Sequence, residues 1–346
     1  VFASASAFAA LAQEPRLVNK TPGWWIGLYI NSLPRALGPH RIGSISQEGW
    51  GEGAVSKSEF DRAADDLGNI VNLGHVNFHV PDQILATLFY VEGLGLTRDP
   101  YMMGGIDNMW VNIGDSQFHL PTGAPTQAPV TRTGLIVPDL EALIARLTKI
   151  RPRLSASRFQ FSVEADHVDV TCPWGNHLRC HQAHVDQFGP FCLNLAYAEF
   201  AIERGKGLAI ARFYDEIFKA STKVSVTGHG LVVHVGAGHH QYLIFREEAA
   251  PPPPCAEHHV QIYLAEFSMP YEGLKLRGLI SEESGPHQYR FNKIIDLDTG
   301  AHVFQLDHEV RSMKHPMYGR ALINRNPNLS IRTFQSGQEN FNWRLC

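Results

Sequence analysis

The chain has 346 residues, 44% of them hydrophobic and 18% charged, which supplies two or three compact cores and excludes a disordered chain. Thirty Lys plus Arg against 34 Asp plus Glu leave a formal charge of -4, so no overall positive field exists to hold nucleic acid or an anionic membrane. Five cysteines form no CxxC pair; that argues against a thiolate zinc site and a disulfide-stapled scaffold, and leaves any metal to carboxylates and the 18 histidines.

No apolar run reaches the roughly 20 residues a spanning helix needs, and the nearest, Trp24 to Ile30, is broken off by Asn31 and Pro34. A soluble protein is expected. The opening VFASASAFAALAQEP lacks an initiating Met and reads as the remnant of a targeting segment rather than part of a fold. Residues 1–70 form an N-terminal extension of Gly, Pro and Ser clusters with one short helical candidate at Ser58 to Leu67. Its WWIGLYI stretch is expected to pack on the body or to meet a protein partner.

From Leu73 the pattern changes. GHVNFHV alternates as a strand, Pro81-Asp82 makes a turn with Asp82 as N-cap, and Gln83 to Val91 has helical apolar spacing ending at Gly93. Strands follow at Leu96 to Met103, Asn108 to Ile113 and Gln117 to Leu120, the last two joined by a tight Gly114-Asp115 turn. The same βαβββ order returns after the linker Pro121 to Pro129, with a second Val-Pro-Asp, a helix at Leu140 to Ile150 and strands to His181. A third unit begins near Phe191 and a fourth, after the stiff Pro251 to Pro254 run, at His258. Four copies of one motif at a spacing of about 60 residues predict a repeat architecture.

GHVNFHVPD followed by FYVEGLGL, then TCPWGNHLRC, resemble the vicinal oxygen chelate superfamily of glyoxalase I, bleomycin-resistance proteins and extradiol dioxygenases. The likeness covers about residues 73–310. It implies an α+β fold of tandem βαβββ modules paired into two cup-shaped mixed sheets, whose first and last strands aim side chains at one divalent metal (Fe, Zn, Ni or Mn). Pairing consecutive modules gives a first domain over 71–185, a second over 186–312 and a C-terminal tail over 313–346.

The resemblance places the first module's metal ligands on His75 and His119. In the second module the equivalent positions fall on Arg132 and, because the closing motif reads Cys172 to Cys180 with Arg where the family has Glu, on Arg179. A guanidinium has no lone pair to give a metal. Two imidazoles facing two arginine forks would suit a small carboxylate or phosphate; the alternative is a metal shared by His75 and His119 with His79, Glu164 or a ligand. In the expected second cup the first-strand positions are Cys192 and His259, the latter a metal ligand, and the last-strand positions fall near Ile244 and Gln305, with Asp307 and Glu309 following on one strand face. Gly238-His239-His240 reads as a solvent-facing turn, and LDHEVRS with RALINRNP as a polar cluster that pairs internally or lines a pocket.

Two functions stay open at this point. One is a glyoxalase-like protein binding a small oxygen-rich or anionic molecule, as a metal-dependent lyase or isomerase. The other is a non-catalytic scaffold or binding subunit with a degenerate site. No dinucleotide fingerprint, Walker sequence, serine elbow or HExxH is present. Ser6 to Ala9 resembles the Ala-Phe junction of targeting peptides for red-lineage plastids; the other reading is an Ala-rich terminus on a cytoplasmic protein.

Overall fold

The computed structural model describes residues 65–102, 106–124, 130–251 and 259–324, all within one compact unit spanning residues 60–346. The WWIGLYI stretch and most of the Ser58 to Leu67 helical candidate lie outside the described residues.

The first module is β1 (Ile70–Asn77), α1 (Gln83–Ala86) continued by a π-helical turn (Thr87–Gly93), β2 (Thr97–Arg98), β3 (Asn108–Ile113) and β4 (Ser116–Pro121). The second is β5 (Val130–Val137), α2 (Leu140–Ile150), β6 (Gln160–Val163), β7 (His167–Thr171) and β8 (His177–Gln182). A short helix, α3 (Val185–Phe188), leads to the third: β9 (Asn194–Glu203), α4 (Gly207–Phe218), β10 (Thr222–Thr227), β11 (Gly230–Gly236) and β12 (Tyr242–Glu248). The fourth is β13 (His259–Leu264), α5 (Ser268–Leu276), β14 (Ile280–Gly285), β15 (Gln288–Ile295) and β16 (His302–Ser312).

Local chemistry explains the helix starts. Asp82 accepts the amides of Ile84 and Leu85, and Asp139 accepts that of Ala142, which satisfies donors that the first helical turn cannot. In α2 the buried residues Leu143, Leu147 and Ile150 recur at helical spacing and face the core. Gly93 ends the first module's helix where a Cβ would lie 2.4 Å from Ile150 Cδ1, so glycine lets α2 approach.

Among the described residues, sixteen strands make two mixed sheets of eight. The first has the order β14-β15-β16-β13-β1-β4-β3-β2 and the second β10-β11-β12-β9-β5-β8-β7-β6. Within each module the first strand runs parallel to the last, and modules join through antiparallel first strands, β1 with β13 and β5 with β9. The chain therefore pairs module one with module four and module two with module three. This corrects the expectation of consecutive pairs over 71–185 and 186–312. All four first strands carry the same alternation, so their pattern does not say which neighbour each will choose; side chains at the joining edge do.

One core runs through both sheets. Helix α4 packs on β10, β11 and β12 of its own sheet and on β15 and β16 of the other. Tyr214 of α4 reaches His308 of β16, fully buried, at 2.6 Å from Nε2. Gln241 also bridges the sheets: its amide donates to Ser116 Oγ and to the Leu195 carbonyl, both at 2.9 Å, and its oxygen accepts the Leu73 amide at 3.1 Å. No helix among the described residues is long and apolar enough to cross a membrane.

Candidate metal centre

The nested pairing sets β1 against β13 at the middle of the first sheet, with His75 opposite Gln261. On the outer sides, β4 places His119 opposite Asn77, and β16 places Glu309 opposite Gln261. Because side chains alternate faces along a strand, His75, His119 and His259 project together. His75 Nε2 and His259 Nε2 are 3.0 Å apart, and one nitrogen from each of the three rings lies within 4.8 Å of the others. Glu309 Oε2 is 3.7 Å from His259 Nε2. The three histidines expected as metal ligands thus meet, two from the first module and one from the fourth.

The surroundings hold the rings in place. Trp110 stacks on His119 with centroids 4.0 Å apart and meets His75 edge-on. Asn77 and Asn108 contact the two ring nitrogens of His119 at 3.1 and 2.8 Å. Burial drives the His75 pKa well below the ordinary value, helped by His259 and Arg311. Burial likewise brings His119 down to about 3, with Arg311 and His79 adding to it. Both rings are therefore neutral at pH 7 and keep a lone pair. Burial raises the Glu309 pKa, opposed by Arg311 and Arg290. Arg311 Nη2 lies 2.5 Å from Glu309 Oε1, while Arg290 contacts both Glu309 and Asp307.

This donor set fits a divalent metal. Two nitrogens each about 2.1 Å from an ion and 90 to 109° apart at it would be about 3.0 to 3.4 Å from one another, the spacing of His75 and His259. Between two neutral imidazoles that contact needs one shared proton, which an ion would replace. His119 is the less ready ligand, since one of its two asparagine contacts must give way.

The expected convergence of His75 and His119 with Arg132 and Arg179 does not occur: the histidines belong to the first sheet and the arginines to the second. Register shows where the equivalent positions fall, and it moves two of them, from Cys192 to Tyr197 in module three and from Gln305 to Glu309 in module four. Arg132 faces Glu199 as His75 faces Gln261, Arg179 faces Gly134 as His119 faces Asn77, and Ile244 faces Glu199 as Glu309 faces Gln261. The second cup thus carries Arg132, Arg179, Tyr197 and Ile244 where the first carries His75, His119, His259 and Glu309. Its charges close on each other. Arg179 makes two 2.8 Å bonds to Asp169, and Glu199 is 3.6 Å from Arg132 and 3.1 Å from Arg246. Glu164 sits at the far end of β6, outside the first cup, and Cys192 is disulfide-bonded, so neither is a ligand there.

A cavity of about 590 Å³ opens beside His75. The segment after β16 crosses it as a strap: Met317 to Leu322 line it, and His239 stands at its rim. The strap is pinned by Arg320 to the fully buried Asp99 at 2.5 Å, by Asn112 to the Ile323 carbonyl at 2.9 Å and by Asn324 to the Gly114 carbonyl at 3.0 Å. The polar cluster of the last strand and tail therefore both pairs internally and lines a pocket. Asp99 and Gln261 were missed in the sequence because nothing local marks them; Glu309 was marked by strand alternation, and Arg311 lay unmarked within the polar LDHEVRS stretch.

No family model matches the chain, and no curated protein matches it. Solved structures do. Glyoxalase I from Zea mays superposes with a TM-score of 0.52 at 11% identity, covering 70% of this chain and 92% of that one. A putative dioxygenase from Bacillus subtilis superposes with a TM-score of 0.50 at 12% identity, covering 72% and 87%. The fold is the one these structures share, an α+β fold of paired βαβββ modules, as the sequence motifs implied.

Proposed function

We propose that the first cup is the active site of a metal-dependent lyase or isomerase acting on a small oxygen-rich molecule, with His75, His119 and His259 holding one divalent ion. The approach of three imidazole nitrogens to within 4.8 Å of one another, next to a cavity, carries this reading. The bound ion would supply Lewis acidity toward a substrate oxygen. The chain's own part is to present neutral imidazoles, to fix the His119 plane against Trp110, and to hold Glu309 at the edge of the set between two arginines. The strap and the cup wall line the cavity beside that surface.

A scaffold role belongs to the second cup, whose guanidinium groups are engaged by Asp169 and Glu199. Elemental analysis of desalted protein, before and after loading with Fe, Zn, Ni or Mn, tests the assignment. One equivalent of one of these metals per chain is expected, lost in His75→Ala and His259→Ala with unchanged circular dichroism, and kept in Arg179→Ala. A wild-type chain that takes up none of them would refute the reading.

A further inference from the structure

The wall of the cavity holds two buried hydrogen-bond donors without an acceptor in the described structure. Among its lining residues, the buried polar atoms without a partner in the described structure are Gln261 Nε2 and Arg320 Nε. Gln261 is 1% exposed and sits on β13 between the registers of His75 and Glu309. The backbone makes room for it. The β1–β13 register shifts between Leu73 and His75, and a Cβ at Gly74 would lie 1.9 Å from Gln261 Oε1 and 2.8 Å from Tyr263 Cε2. Any side chain at 74 would displace the amide. A third donor, Arg311 Nη1, has only weak partners, Tyr263 OH at 3.5 Å and the thioether Met317 Sδ at 3.4 Å.

Buried N–H groups left without acceptors are rare, and a bound molecule is one source of the missing acceptor. The cavity lining bears two guanidinium groups, Arg311 and Arg320, and one carboxylate, Asp115. Glu309 and Asp307 already balance Arg311 and Arg290, and Asp99 balances Arg320. If the centre holds an ion as proposed above, three neutral imidazoles leave both its charges uncompensated, which favours an anionic ligand.

We infer that this wall is a carboxylate subsite: the first cup takes a small molecule that presents a carboxylate to Gln261 Nε2, Arg320 Nε and Arg311 Nη1 while its other oxygens face the histidines. The carboxylate half stands on the orphan donors, and the second half rests on the metal reading. Charge-assisted bonds from two guanidinium groups and an amide would orient the molecule as well as hold it.

Calorimetric titration with 3,4-dihydroxybenzoate and with catechol, which lacks the carboxylate, separates the two halves when run on both metal-free and zinc-loaded protein. The acid should bind both forms, more tightly with zinc, and at least tenfold more tightly than catechol in each. Gln261→Leu, and Gln261→Glu as a size-preserving second variant, should abolish that advantage without changing zinc stoichiometry. Equal affinities for acid and catechol, no saturable binding of the acid to either form, or an equal loss for both ligands in the Gln261 variants would overturn the subsite. A chain that binds none of Fe, Zn, Ni and Mn but still prefers the acid would refute the metal reading and leave the subsite standing.

Discussion

Arg320→Met should release the strap. In the folded chain the Arg320 guanidinium is the cationic partner of Asp99, a carboxylate with no exposed surface. Removing one member of a buried pair costs about 3 to 5 kcal/mol when the other is left bare. Asp99 is not left bare: it still accepts Gln117 Nε2 at 2.8 Å and the amides of Tyr101 and Met102 at 2.8 and 3.0 Å. About 2 kcal/mol is therefore expected, which multiplies the undocked population roughly 30-fold. Trypsin cleavage after Lys314, at protease concentrations where cutting is slower than redocking, reads that population directly. The variant should be cut about 30-fold faster than wild type by that estimate, and the double variant with Asp99→Asn should cost less than the sum of the two. Cleavage within twofold of wild type would refute the pinning role. Burial alone would raise the Asp99 pKa, but the bonds from Arg320, Tyr101 and Met102 outweigh it and hold the carboxyl below its usual range. Strap docking is then strongest above the ordinary carboxylate pKa and weakens as pH falls through the lowered one, so protection factors in residues 317–324, taken against the intrinsic exchange rate at each pH, should fall in acid.

Two further outcomes follow from buried polar pairs elsewhere. Burial lowers the His308 pKa to about 3, so below about pH 6.5 the unfolded chain takes up a proton that the folded chain refuses, and stability should fall by up to about 1.4 kcal/mol per pH unit. Urea denaturation at pH 7.5 and 5.5 measures this. Tyr214→Phe, which leaves His308 Nε2 without its 2.6 Å partner, should destabilise by about 1 to 3 kcal/mol; no change in the urea midpoint would remove the joint from the list of stabilising contacts. Arg179→Ala breaks a half-exposed bidentate pair and should cost about 1 kcal/mol or less by urea denaturation, with metal content untouched.

Much of the fold was legible because its determinants are local. The Val-Pro-Asp turns, the N-caps at Asp82 and Asp139, and the alternating strands each act within a few residues, and α2 occupies the expected Leu140–Ile150. The partner of each module was not legible from periodicity, since it depends on contacts between strands nearly 200 positions apart, such as His75 with His259. Charge offered a hint: Arg132 has an acid to meet on β9, Glu199, and His75 has a second imidazole to meet on β13. The strand positions of modules one and two were reached through the motif and were regrouped because the sheets combine differently, whereas in modules three and four, where the motif is weaker, counting put Cys192 for Tyr197 and Gln305 for Glu309. Asp99, Gln261 and the strap are invisible in a linear reading because their roles arise from cross-chain proximity.

The order in which the chain visits its sheets, first, second, second, first, has a consequence for synthesis. Modules two and three are neighbours in sequence, so the second sheet can close once about residue 250 has emerged, N-terminal parts folding first during translation. The first sheet cannot. Until β13 arrives, β1 presents an open edge carrying Leu73, His75 and Val76, the kind of edge that recruits strands from other chains. A nascent or truncated chain ending before module four would hold one finished sheet and one adhesive half. The histidine cluster can therefore form only after module four has emerged, and a metal captured there would mark a chain made at least as far as β13.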